Sequence, residues 1–220
     1  MSKKRLDIPM LGVIFSLAWP TMLQELMQTA VQYIDTAMVG SLGTQATAAV
    51  GATGTVSWLV NGTVSALGVG FLAYISQAVG AGEPERARRA AAQSVLMALI
   101  AGTVLTVLTT ILSGSIVRWM QVAPAIRDAA AQYFRILYLS MLFRTMNILF
   151  SMVLRAVGDA RTPMRVGLRV NCLNVLLNVL LIYPAGRVHL MGISFSMWGA
   201  GLGINGAAAA SAIAYTYPLP

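Results

Sequence analysis

Residues 19–40 read WPTMLQELMQTAVQYIDTAMVG. On a helix turning about 100° per residue, Thr21, Gln24, Gln28, Gln32 and Asp35 share one narrow arc, with Glu25 at its edge. Leu23, Leu26, Met27, Ala30, Val31 and Ile34 fill the rest of the cylinder. The stretch therefore predicts a greasy helix with one polar stripe. Such a stripe is costly against hydrocarbon, so it is expected to face a bundle interior or a water-filled cavity.

The whole chain supports lipid as the solvent. Of its 220 residues 57% are apolar and 10% charged, with mean hydropathy +0.73. Soluble domains carry about 25% charged residues. The net charge of +8 could suggest nucleic acid, but the basic residues lie between long apolar runs, as charges held at a membrane face do. No nucleic-acid partner is expected; the bilayer is. One cysteine, Cys172, and one histidine, His189, exclude a disulfide and a zinc site built from them. Cys172 reads as a small packed residue in an apolar run, and His189 as a solvated loop residue.

Working outward, six segments approach the ~20 apolar residues needed to cross a bilayer: about 10–39, 46–79, 91–117, 131–156, 164–185 and 200–217. They lack the strict alternation of barrel strands, so the expected fold is all-α, a polytopic bundle of six transmembrane helices. Pro20 marks a candidate kink. Polar joints at 40–44, 80–84, 121–124, 158–163 and 186–192 mark the turns. The start, with Lys3, Lys4 and Arg5, resembles a secretory signal, but its apolar run is too long and no cleavage site closes it. It reads as a retained first helix.

One face collects Lys3, Lys4, Arg5, Arg86, Arg88, Arg89, Arg155, Arg161 and Arg165; the other collects Arg118, Arg127 and Arg187. The positive-inside rule then puts the amino terminus of a multi-pass membrane protein in the cytoplasm. The last segment ends in Tyr215 to Pro220 without a charged anchor. The chain is thus expected to stop inside, or just after, its sixth helix.

Asp35 and Glu25 are the acids in the stripe. A carboxylate at mid-membrane costs about 2.5–3.5 kcal/mol on insertion scales, so such acids mark ion or proton pathways. The competing readings are that Asp35 is solvated near the outer interface and that Glu25 pairs with an arginine such as Arg144. Asn171, Asn174 and Asn178 share one face of the fifth segment, where carboxamides either glue helices together or bind a coupling ion. Ser57, Asn61, Ser65 and Gly68 share a face of the second segment, and Gly203, Gly206, Ala207 to Ala210 and Ser211 crowd the sixth. These small residues suggest close helix packing. Gly201-Leu-Gly203-Ile-Asn-Gly206 matches G-x-G-x-x-G, but that pattern binds dinucleotides only within a βαβ unit. No nucleophile–base set or phosphate loop is present, so no enzyme is expected.

Several of these stretches together resemble the amino-terminal lobe of the multidrug and toxic compound extrusion (MATE) family, over nearly the whole chain. They are Trp19-Pro20 with Tyr33-Ile-Asp35-Thr-Ala-Met-Val-Gly40; Ser76-Gln77-Ala-Val-Gly80-Ala-Gly82-Glu-Pro-Glu-Arg86; Arg155-Ala-Val-Gly158-Asp159-Ala-Arg-Thr162-Pro163; Asn171-x-x-Asn174-x-x-x-Asn178; and Gly203-x-x-Gly206-Ala-Ala-x-x-Ser211.

The resemblance implies a twelve-helix exporter of two six-helix lobes, which alternates between inward- and outward-facing states while exchanging drug-like organic compounds for protons or sodium. It implies no cofactor beyond the coupling ion. Asp35 matches the family's first-helix acid, and Asn174 and Asn178 match its partners in a proton or Na+ pocket. Some members carry an acid where this chain has Asn178, and Ser211 stands where threonine is common.

Gln24, Glu25, Gln28, Gln32, Asn61, Asn171 and Ser211 are the expected cavity-lining residues. Residues 1–220 form one lobe under this reading, so the partner is a second six-helix lobe, from the same gene or another chain. The rival readings are a lipid-linked oligosaccharide flippase and an inactive half-transporter fragment. A flippase cavity should be rich in arginine, and only Arg135, Arg144 and Arg169 are candidates inside the spans, Arg155 and Arg165 lying at span ends.

Overall fold

The computed structural model describes residues 8–190 and 193–217. Seven helices and one hairpin follow in order: α1 Ile8–Gly40, α2 Thr44–Gly80, α3 Pro84–Trp119, α4 Pro124–Leu139, α5 Met141–Ala156, α6 Arg161–Ile182, β1 Pro184–Leu190, β2 Ile193–Ala200 and α7 Ile204–Thr216. With α4 and α5 taken as one bent rod, six rods make the bundle. Met1–Asp7, including Lys3, Lys4 and Arg5 of the orientation reading, lie outside the described residues.

The turns form where backbone chemistry demands them. Gly43, Gly82 and Gly158 adopt φ of +109°, +72° and +91°, and Pro84 and Pro124 open α3 and α4 where a missing N–H costs nothing. At the α2–α3 turn Arg86 donates to the Glu83 carboxylate at 3.0 Å and to the Tyr74 hydroxyl at 2.9 Å. Asp159 caps α6, its Oδ1 accepting from the amides of Arg161 and Thr162 at 3.1 and 3.0 Å. Bonds from Thr162, above all, hold the Asp159 carboxyl below the usual carboxylate range. Both loop signatures thus serve local structure. α1 runs unbroken through Pro20.

Among the described residues, α2, α3 and α6 are long and apolar enough to cross a membrane, and α4 with α5 make a fourth span bent by 48°. α1 has the length, 33 residues or about 50 Å, but its polar stripe lowers its hydropathy. α7 has 13 residues, short of the ~20 that a crossing takes. Large apolar side chains such as Trp58 (79% exposed) and Ile111 (74%) cover the outside, which suits hydrocarbon as solvent. The chain is a multi-pass membrane protein.

Several boundaries depart from the sequence reading: α3 begins at Pro84 and not at 91, α4 at Pro124 and not at 131, and α7 at Ile204 and not at 200. The fourth span, expected as 131–156, is two helices broken at Ser140. The fifth, expected to reach 185, stops at Ile182 because Pro184 cannot extend it. The joint at 186–192 belongs to an antiparallel hairpin in which Pro184 faces Ala200 and Arg187 faces Ser196. Gly201 to Gly206 therefore follow a strand after all, but an antiparallel one with no βαβ unit, so the dinucleotide pattern remains a coincidence. His189 lies in β1 opposite Ser194. Cys172 is exposed and not packed, since it falls on the outer face of α6.

The break at Ser140 is seated on α3. A Cβ on Gly102 would stand 2.9 Å from the Leu142 Cα, so only glycine lets α3 approach there. One turn along α3, Thr106 donates its hydroxyl to the Gly102 carbonyl at 2.8 Å and accepts from the Leu142 amide at 3.0 Å. A backbone amide freed inside a bilayer must find such a partner. Thr106→Val is expected to destabilise the protein by about 1–3 kcal/mol, read as a lower denaturation midpoint in detergent, while Thr106→Ser keeps the midpoint. Equal midpoints for Val and Ser would contradict this account.

Candidate functional site

The carboxylate of Asp35, on α1, meets α6 at Asn178, whose Nδ2 donates to Asp35 Oδ1 at 2.5 Å. The same Nδ2 group donates to Asn174 Oδ1 at 3.2 Å, and Asn174 Nδ2 reaches Ser211 Oγ, on α7, at 3.0 Å. A four-residue spacing stacks Asn174 and Asn178 on one face of α6. Both are nearly fully buried, at 7% and 1% exposure. Turned over, the Asn174 carboxamide would accept from the Ser211 hydroxyl and amide at 3.0 and 3.3 Å and donate to Asp35 Oδ2 at 3.3 Å. That orientation gives up the bond from Asn178, since two amino groups then face each other. The pocket can therefore offer Asp35 one amide donor or two.

One acceptor is left over. Asn178 Oδ1 is buried and has no hydrogen-bond partner, and it belongs to the carboxamide that touches the Asp35 carboxylate. Oxygens left unfilled beside a carboxylate suit a small cation or a proton. Among the described residues no three His, Cys, Asp or Glu side chains gather to hold a metal ion. A sodium ion here would therefore be held by one carboxylate and neutral oxygens.

The site is roofed at the end carrying the hairpin. Met38, Val39, Ile182 and Ala207 form a buried apolar cluster with Leu42, Tyr133 and Tyr183 packed against it. Ser41 Oγ and Tyr183 OH lie 3.0 Å apart across its rim. Tyr133 is within electrostatic reach of both Asp35 and Arg144, and the Arg144 guanidinium stands 5.1 Å over the Tyr215 ring. Tyr133 was not legible in the sequence, because a tyrosine near a helix start reads equally well as an interfacial aromatic.

The other expected lining residues separate into two groups. Gln24 accepts from Arg155 Nη2 at 2.9 Å and packs against Gly167, so it ties α1 to α5 and α6. Asn61 donates to its own helix, at the Ser57 carbonyl, and Asn171 is half-buried on α6. Glu25, Gln28 and Gln32 are exposed on α1. Glu25 does not pair with Arg144: the one ion pair among the described residues joins Arg86 to Glu83, and Arg144 instead lies over Tyr215.

A family model described as MatE matches residues 20–180. The chain belongs to the MatE family. It is 30% identical over 180 residues to the "Probable multidrug resistance protein NorM" of Thermotoga maritima, covering 82% of this chain and 39% of that one. It is 28% identical to the "Probable multidrug resistance protein YoeA" of Bacillus subtilis over 79% of this chain and 38% of that protein. The chain thus spans about two fifths of the length of these MatE relatives.

The same holds for solved structures. A MATE crystallised with MaD3S superposes with a TM-score of 0.82 at 27% identity, covering 92% of this chain and 42% of that one. A MOP-superfamily transporter of Pyrococcus furiosus, whose binding pocket is described as of reverse polarity, gives 0.80 at 27% identity, again with 92% and 42% covered. This MatE chain therefore has the fold of one lobe.

Proposed function

We propose that the chain, residues 1–220 acting as an amino-terminal lobe, works with a second six-helix lobe as a cation-coupled antiporter. It would carry drug-like, mainly cationic organic compounds out of the cell by alternating access, with its amino terminus in the cytoplasm of the inner membrane. The observation that carries this is the Asp35 carboxylate, bonded to Asn178 beside an unfilled carboxamide oxygen between α1, α6 and α7. The named NorM and YoeA relatives, each described as a "Probable multidrug resistance protein", support the substrate class. The Asp35 carboxylate and its amide partners favour a cation over the anionic cargo of a flippase, since Arg169 lies on the face of α6 turned away from them and Arg144 is engaged with Tyr215.

The chemistry follows from hydrogen-bond polarity. An ionised Asp35 only accepts, and it draws the amino group of Asn178 toward it. A proton turns one of its oxygens into a donor, and a sodium ion cancels its charge. Either change alters what Asn178 and Asn174 must offer, and hence how α6 and α7 sit against α1. Coupling requires that the ion and the drug prefer different states of the lobe, because a ligand shifts an equilibrium only by its differential affinity.

The test is ethidium efflux from vesicles holding the chain together with a carboxyl-terminal lobe. Efflux should follow an imposed proton or sodium gradient and should vanish when that gradient is collapsed. Efflux indifferent to both gradients would overturn the coupled mechanism.

A further inference from the structure

The face of α6 turned away from the Asp35 pocket carries a pattern that the transport reading does not use. Asn174 and Asn178 define the inward face, and Gly167, against Gln24, lies on it too. Roughly opposite, at spacings of four residues, stand Arg161, Arg165 and Arg169, all exposed. Above them the same face continues as exposed Cys172 and Leu176, with Leu168 alongside. Residues four apart stack along a helix, so three guanidinium groups form a ladder. Its rungs span about 12 Å, from the α5–α6 turn into the apolar part of the helix.

Among the described residues no carboxylate lies within ion-pair distance of this ladder. Asp159 lies within electrostatic reach of Arg165. Its Oδ1 is occupied by the amides of Arg161 and Thr162, and it sets one negative charge against three positive. Arg169, two turns up a membrane helix, must bend its long side chain back toward the polar boundary. That brings its charge toward Arg165, one turn below, and an anion between the two would relieve their repulsion.

We propose that this face of α6 binds the headgroup of an anionic phospholipid through Arg161, Arg165 and Arg169, with an acyl chain lying along Leu168, Cys172 and Leu176. Guanidinium groups engage phosphate oxygens in pairs, and a ladder of them holds the phosphate while leaving the apolar tail against the helix. A zwitterionic headgroup brings its own ammonium and gains less. The inference rests on the membrane fold and not on the exporter reading.

The experiment uses the full chain in detergent, titrated with phosphatidylglycerol, phosphatidylcholine or inorganic phosphate, with bound lipid counted by native mass spectrometry. Phosphatidylglycerol is expected to be retained, phosphatidylcholine not, and inorganic phosphate should not displace the lipid. Each of Arg161→Gln, Arg165→Gln and Arg169→Gln should weaken retention about fivefold, and the triple variant about 100-fold. Arg165→Lys should recover part of the single loss. Arg88→Gln with Arg89→Gln, which removes exposed charge from α3 at the same end of the bundle, should leave retention as it was.

Single variants that bind like the unaltered chain would overturn the proposal, as would an equal loss in the α3 variant. Displacement by inorganic phosphate would make the ladder a free-anion site and overturn the lipid as occupant.

Discussion

Asp35→Asn is expected to reduce ion-driven ethidium efflux to the level of empty vesicles while the amount of protein in the membrane stays unchanged. The substitution keeps the size of the side chain and an oxygen that can accept from Asn178 Nδ2, the bond made at 2.5 Å. What it removes is the ability to exchange a charge with a proton or sodium ion. It also removes the cost of holding a carboxylate within the membrane, so thermal stability in detergent should hold or rise. A silent transporter that remains folded separates an engine residue from a structural one. Wild-type efflux by this variant would end the role assigned to Asp35.

Gly206→Leu should have the largest effect on the fold. α7 begins against the carboxyl end of α6 so closely that a Cβ at Gly206 would meet the Leu181 carbonyl, with the carbonyl carbon at 2.6 Å and the Ile182 nitrogen at 3.0 Å. These are backbone atoms and cannot swing aside. The loss is expected to be about 3 kcal/mol, seen as a lower denaturation midpoint and little protein recovered in folded form. Because α7 also carries Ser211 to Asn174, any protein that does fold should lose that 3.0 Å contact and with it normal coupling. A Gly206→Leu chain as stable as the original would refute this reading of the α6–α7 contact.

The rods of the bundle were legible because each apolar run is bounded by glycine or proline, as at Gly80 to Pro84, where the helices end and begin within a residue or two of the joint. Two features were not. Ser140 gives no sequence signal for a break, since serine is tolerated inside helices and the partner that stabilises the break, Thr106, is distant in sequence. The hairpin at 184–200 falls on the end of the fifth expected span, the joint at 186–192 and a short apolar stretch assigned to no span, too little alternation to mark two paired strands.

The pairing of Asp35 with Asn178 and of Asn174 with Ser211 lies along the polar faces that periodicity marked on α1 and α6. Periodicity could not tell which amides of α1 point inward, however. Gln24 lies against α5 and α6, whereas Gln28 and Gln32, on the same stripe, remain exposed because α1 packs mainly along α6. Roles for polar residues are set by neighbours from other helices, which a helical wheel does not contain.

The position of the pocket along the helices has an electrical consequence. Asp35 lies five residues from the end of α1 at Gly40, about 7.5 Å, and the other end of the helix is far more distant. A cation reaching it from the hairpin end crosses at most about a quarter of a ~30 Å hydrocarbon core. A potential of 100 mV acts on a full crossing with about 2.3 kcal/mol per charge, so it adds only about 0.6 kcal/mol to that step. Loading from that side should follow concentration far more than voltage, and most of the membrane's electrical work should fall on release toward the opposite face.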